Sequence, residues 1–81
     1  MYSVKTNELL KRIDVNPKVM AGKPVIRGTR IPVELILDML AEDVPTAEIL
    51  KAYPDLTGED IRAAVAYASA SLRAEELRLT A

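Results

Sequence analysis

Cysteine, histidine, phenylalanine and tryptophan are all absent from this 81-residue chain. Without cysteine there are no disulfides and no thiolate metal sites. Without histidine the commonest general base and metal ligand is gone. The aromatic content is reduced to Tyr2, Tyr53 and Tyr67, so the 49% apolar fraction comes in the main from Ala, Leu, Val and Ile. Such a core is aliphatic and thin, in one domain near the lower limit of self-sufficiency, and a partner or a second copy is a natural source of further stability. No run is apolar enough to span a membrane and the first residues show no signal-peptide core. The expectation is a soluble, cytoplasmic protein.

The charge is unevenly placed. The net charge is only −1, yet residues 1–30 carry seven cations against two carboxylates, and residues 31–81 carry four against ten. That split, +5 against −6, reads as a basic arm on an acidic helical body. Enzyme readings find little to hold on to. Gly22-Lys23 lacks the upstream glycine and the following Ser/Thr of a phosphate-binding loop. Asp38, Glu42 and Asp43 share one helix side, which is the pattern of a solvated face when no second cluster converges on it. No catalysis, cofactor, metal or small-molecule substrate is expected.

Residues 22–33 read GKPVIRGTRIPV, a pattern no helix would use. Pro24 and Pro32 fix their own φ and push Lys23 and Ile31 toward extended geometry. Gly28 lies between the apolar pieces Val25-Ile26 and Ile31, where a tight turn needs positive φ. A small hairpin or arch follows, its apolar residues on the core and its cations outward. Upstream, Thr6-Asn7-Glu8 before Leu9 and Leu10 reads as one short helical turn, and Ile13 with Val15 alternatively as a short strand beside Val25-Ile26.

From Pro32 the period becomes helical. Val33, Ile36, Leu37 and Leu40 fall at i, i+3, i+4 and i+7, and Glu34 suits the first turn. Asp43-Val44-Pro45 breaks that helix; a second runs over 46–53 and stops at Pro54. Thr57 opens the third with Asp60 three residues on, a capping-box pair, and the spacing of Ile61, Ala64, Val65, Ala68 and Leu72 carries it to about Leu77. Twenty helical residues span roughly 30 Å, more than so small a core covers. The part beyond Ala70 therefore needs something to pack against.

Ile13-Asp14-Val15-Asn16-Pro17, the 22–33 loop, Ala47-Glu48-Ile49-Leu50, Tyr53-Pro54-Asp55-Leu56-Thr57 and Asp60-Ile61-Arg62-Ala63-Ala64 resemble the small bacterial "domain of unknown function 433" family, over residues 13–68. The resemblance implies a mainly α fold: a helix-turn-helix-like three-helix domain preceded by a short β-hairpin or arm. It also implies an antitoxin role of the VapB type, with members encoded beside a PIN-like ribonuclease toxin. On this reading 1–81 is one domain, with a basic arm at 13–33, a core at 33–70 and a helical extension at 71–81. Two positions depart from the family pattern. Asp43 stands where members commonly have Gly, and Pro45 where they have Ser or Thr.

Two surfaces are candidates for binding. As a helix-turn-helix, the start of the third helix, Thr57-Gly58-Glu59-Asp60-Ile61-Arg62, would enter the major groove, but its carboxylates oppose phosphate and Arg62 is its one cation. The arm is the better DNA-binding element, through Lys18, Lys23, Arg27 and Arg30. Against that stands a structural role, in which Arg27 and Arg30 bond carboxylates or cap carbonyls, Arg30 being the more structural of the two. The second surface is the C-terminal helix. Ala66 and Ala70 offer close approach, and Leu72, Glu75, Glu76 and Leu79 an amphipathic continuation for a protein partner. The partners expected are a PIN-like toxin, operator DNA and a second copy in a homodimer. The other readings are an interaction module without DNA binding and a stand-alone DNA-binding regulator.

Overall fold

In the computed structural model, which describes residues 4–80, a short helix α1 (Val4–Leu10) leads into a turn closed by Arg12 N–H donating to Leu9 O at 3.0 Å. Tyr2 and Ala81 lie outside the described residues. The next segment is a strand, so the region before Asn16 holds both the helical piece and the strand that the sequence offered as alternatives. Strand β1 (Ile13–Asp14) pairs antiparallel with β2 (Val25–Ile26), Ile13 opposite Ile26 and Asp14 opposite Val25. Arg27 N–H donating to Arg12 O at 2.7 Å continues the ladder. Val15 falls outside the strand and is exposed.

The loop at 22–33 forms the predicted arch. Gly28 has φ +80° in a turn closed by Thr29 N–H to Ile26 O, and the Thr29 hydroxyl also donates to that oxygen. The returning chain then meets β2 from its other side. Ile26 N–H donates to Ile31 O and Val33 N–H to Pro24 O, with Val25 opposite Pro32. In an antiparallel pair of this kind the bonds come from the flanking residues, so Pro32 lacks no donor that the pairing needs. The link from β1 to β2 is tighter than the sequence implied. Met20, Ala21 and Gly22 are three successive residues at positive φ (51°, 57°, 81°), a single left-handed turn.

Three more helices complete the chain: α2 (Val33–Ala41), α3 (Thr46–Ala52) and α4 (Gly58–Thr80). With α1 that makes four helices rather than three among the described residues, and the fold is mainly α with a two-strand hairpin. Val33 and Ile36 are buried, with Leu37 and Leu40 half-buried against the same core, as their spacing required. The end of α2 is a Schellman cap. Asp43 N–H donates to Leu40 O and Val44 N–H to Met39 O, both at 3.0 Å, around Asp43 at φ +61°. The departure at Asp43 therefore sits at the one position of the motif that favours glycine. Pro45 precedes α3 in extended geometry (φ −60°, ψ 142°) with no side-chain cap.

The core draws on both strands, α2, α3 and the first turns of α4. Ile13, Ile26, Val33, Ile36, Ile49, Leu56, Ile61, Ala63 and Ala64 are buried together, while Tyr53 and Tyr67 sit half-buried at its margin. Ala63 and Ala64 are fully covered, so the small-residue surface of α4 is used, in this part, inside the domain. No helix among the described residues is long and apolar enough to cross a membrane.

Asp43→Gly is expected to stabilise the fold by about 0.5–1 kcal/mol. It relieves a left-handed side chain and removes a carboxylate from the negative end of a helix. The check is a higher urea midpoint with an unchanged slope. Ile49→Ala, at a fully buried site, is expected to lose about 2–5 kcal/mol in the same assay.

Candidate functional site

The arm cations are held to different degrees. Lys23 Nζ pairs with Glu34 Oε1 in the first turn of α2, both side chains more than half exposed, an arrangement worth little in water. Arg27 Nε donates to Lys11 O at 2.8 Å, which ties the arch to the end of α1. Arg30 is exposed, with no ion pair or side-chain hydrogen bond among the described residues. The sequence reading made Arg30 the more structural arginine, but in the fold that bond belongs to Arg27. Lys18 is exposed in a turn organised by its own backbone N–H donating to Asn16 Oδ1 at 2.9 Å.

The start of α4 is built around Asp60, the one buried charged residue among those described. Its Oδ2 accepts from Thr57 N–H at 3.0 Å while the Thr57 hydroxyl accepts from Asp60 N–H at 3.2 Å, which completes the predicted capping box. Its Oδ1 accepts from Arg12 NH1 at 3.1 Å, and Glu59 takes the other guanidinium nitrogen at 2.9 Å. The bond to Asp60, opposed by partial desolvation and aided by the charge of Glu59, raises the Arg12 pKa above its ordinary value. Arg12 thus bridges the two carboxylates that make this helix start a poor partner for phosphate, and the trio keeps one negative charge.

Arg12 is the residue that sequence reasoning missed. It stands 48 positions from Asp60, and the signals were indirect: a cation just before an apolar strand residue, and a helix-capping carboxylate with an oxygen to spare. Arg62 is exposed in a shallow cleft beside Glu59, Arg12 and the α1 residues Lys5, Glu8 and Leu9. The flank of the first turns of α4 is therefore shared with α1, while Thr57, Gly58, Glu59 and Arg62 remain exposed.

The other half of α4 is open. Ala66 and Ala70 are half-buried, whereas every residue from Ser71 to Leu79 is exposed, including the predicted partner residues Leu72, Glu75, Glu76 and Leu79. Glu75 pairs with Arg78 at 3.1 Å, an exposed i,i+3 contact. Beside this segment runs an apolar groove of about 370 Å³ between α2 and α4. Its walls include Pro24, Val33, Leu37, Tyr67, Ala68 and Leu72, with Lys23 and Glu34 at the rim. Sequence reasoning named Leu72 but not the groove, because Pro24, Leu37 and Tyr67 meet only through the packing of α2 on α4. Among the described residues no group of three or more carboxylates gathers as a metal site. The exposed features are scattered cations on the arm and an amphipathic helix end in which Arg73 and Arg78 balance Glu75 and Glu76.

A profile of the family described as "Protein of unknown function (DUF433)" matches residues 13–68. Among curated proteins the chain is similar to uncharacterized protein y4eO of Sinorhizobium fredii, 39% identical over 56 residues that make up 69% of this chain and 25% of the relative. It thus spans a quarter of that protein's length. It is also similar to an uncharacterized protein of Archaeoglobus fulgidus, 64% identical over 25 residues, 31% of this chain and 69% of that one. Among solved structures, the 2.00 Å crystal structure of a DUF433 member protein from Anabaena variabilis matches with a TM-score of 0.72 at 32% identity, covering 93% of this chain and 74% of that chain.

Asp60→Ala is expected to lower stability by about 1–3 kcal/mol, since it removes a helix cap and the partner of Arg12 together. Thr57→Ala costs about 1 kcal/mol, through the cap alone. A double-mutant cycle of Arg12→Ala with Asp60→Ala, read by urea unfolding, is expected to show positive coupling; additive losses would mean that the ion pair contributes nothing.

Proposed function

This chain belongs to the DUF433 family, whose function is unknown, and on that premise we propose that it is the antitoxin of a type II toxin–antitoxin pair, holding a PIN-like ribonuclease through the exposed end of α4. The observation that supports this reading is the uninterrupted exposure of residues 71–79 in a helix whose earlier turns are buried in the core. Leu72, Leu77 and Leu79 are 66%, 70% and 79% exposed, a large apolar content for the end of so small a domain. Covering a leucine of this kind on a partner is worth about 1.5–3 kcal/mol. Glu75 and Glu76 lie among them. A ribonuclease must bind a polyanion and so presents cations, which such an acidic pair meets.

Any operator binding is assigned to the arm rather than to the start of α4. Lys18, Arg27 and Arg30 are exposed there, and Lys23 is held only by a surface pair. At the start of α4, Arg62 stands beside Glu59 and α1, where a phosphate contact is poorly placed.

The reading is tested by co-expression with the neighbouring gene's product. The charge reversal Glu75→Lys with Glu76→Lys is expected to weaken neutralisation by about tenfold or more and to leave the helix content unchanged. Undiminished neutralisation would remove the acidic pair from the contact, and a neighbour with no toxicity would end the antitoxin reading. For DNA, Arg27→Ala with Arg30→Ala is expected to flatten the salt dependence of operator binding by about two counterions. Binding that persists there and vanishes in Arg62→Ala would return the contact to α4.

A further inference from the structure

The α2–α4 groove and the exposed end of α4 are complementary features of one molecule. One is an apolar channel without a helix in it, and the other is an apolar helix end without a channel. Val65, Leu72 and Leu79 are exposed by 48%, 66% and 79%, and they recur every seven residues along α4. At 3.6 residues per turn they form a single stripe. Ala68 belongs to the same stripe and is also part of the groove wall, as is Leu72, so stripe and groove are one continuous surface.

We propose that this surface is the interface of a homodimer in which two α4 helices pack antiparallel about a two-fold axis at Leu72. The spacing itself favours a second copy. A stripe symmetric about its middle residue is self-complementary when one helix is reversed: Leu72 meets Leu72, and Val65 of each copy meets Leu79 of the other. In that register residues 72–79 of one copy run back along residues 72–65 of its partner, past Tyr67 and Ala68 and beside the groove. One symmetric contact therefore covers both exposed features twice.

The charges agree with this occupant. Residues 65–79 contain Arg73, Glu75, Glu76 and Arg78, so their net charge is zero and two copies do not repel. The groove rim carries Lys23 and Glu34 as an ion pair, so it too is neutral toward a second copy. Leu77 lies well away from the stripe around the helix and stays outside the seam, while Glu75 and Glu76 flank the stripe at its edges. The dimer covers Leu72 and Leu79 and sets Glu76 opposite Ala68 of the second copy, leaving Leu77 open to a larger partner, and its existence does not depend on the antitoxin reading.

The test uses the full chain alone, by sedimentation over the micromolar range. The expected species is about twice the 8.9 kDa chain mass. Leu72→Asp is expected to weaken dimerisation at least about tenfold, and Leu77→Asp, at an equally exposed leucine, to leave it intact. Circular dichroism of both variants checks that the helices persist. Because the chain has no cysteine, single-cysteine variants then read the register without background. Under mild oxidation Leu72→Cys is expected to cross-link to itself. Val65→Cys is expected to cross-link when mixed with Leu79→Cys but not alone. A monomer at all concentrations, a dimer unaffected by Leu72→Asp, or ready self-linking of Val65→Cys would each overturn the proposal.

Discussion

Asp60 is buried at the first turn of α4, and both of its carboxylate oxygens are engaged. One closes the cap on the longest of the described helices, and the other anchors Arg12 at the entrance to β1. A charge taken out of water needs partners of this quality, because an unsatisfied buried carboxylate is far more costly than a paired one is helpful. The consequence is architectural. The N-terminal segment is bound to α4, and the arch is bound in turn to that segment through Arg27 and the β1–β2 ladder. The basic arm and the acidic helices, which composition separates into halves, meet at this point.

The same contact limits what the α3–α4 unit can present. In a DNA-reading helix-turn-helix the first turns of the second helix must lie free to enter a groove. Here those turns carry the Arg12 bridge and lie beside α1, while the cations remain on the arm. The opposite end of α4 has the reverse condition. Its earlier turns are consumed by a core of aliphatic residues, and the core is exhausted before the helix ends. A chain with so little aromatic volume cannot cover a helix of 23 residues from one side. What extends past the core is amphipathic, so the buried contacts of the helix lie in its first turns and its exposed leucines at its other end.

Much of this was legible in the residues. The helical stripe of α2, the stop at Pro54, the Thr57–Asp60 box and the turn at Gly28 are encoded by neighbours three or four positions apart, and all of them appear in the structure. The departure at Asp43 was legible as an anomaly. The Schellman geometry supplies its reason, a left-handed position that a carboxylate occupies at some cost. The left-handed turn at Met20–Gly22 was not legible, since neither Met nor Ala favours positive φ and only the closure of β1 onto β2 requires it.

The sequence alone therefore determined the local elements, their ends and the polarity of charge, because periodicity and capping are short-range codes within a single element. It also showed that α4 is longer than the core could cover. Only the tertiary structure decided which faces of α4 are occupied: Ala63 and Ala64 in the core, Asp60 under Arg12, and Leu72 beside an open groove. Those outcomes depend on contacts between residues tens of positions apart. The pairing of distant side chains follows from how the elements pack, and no local pattern records it.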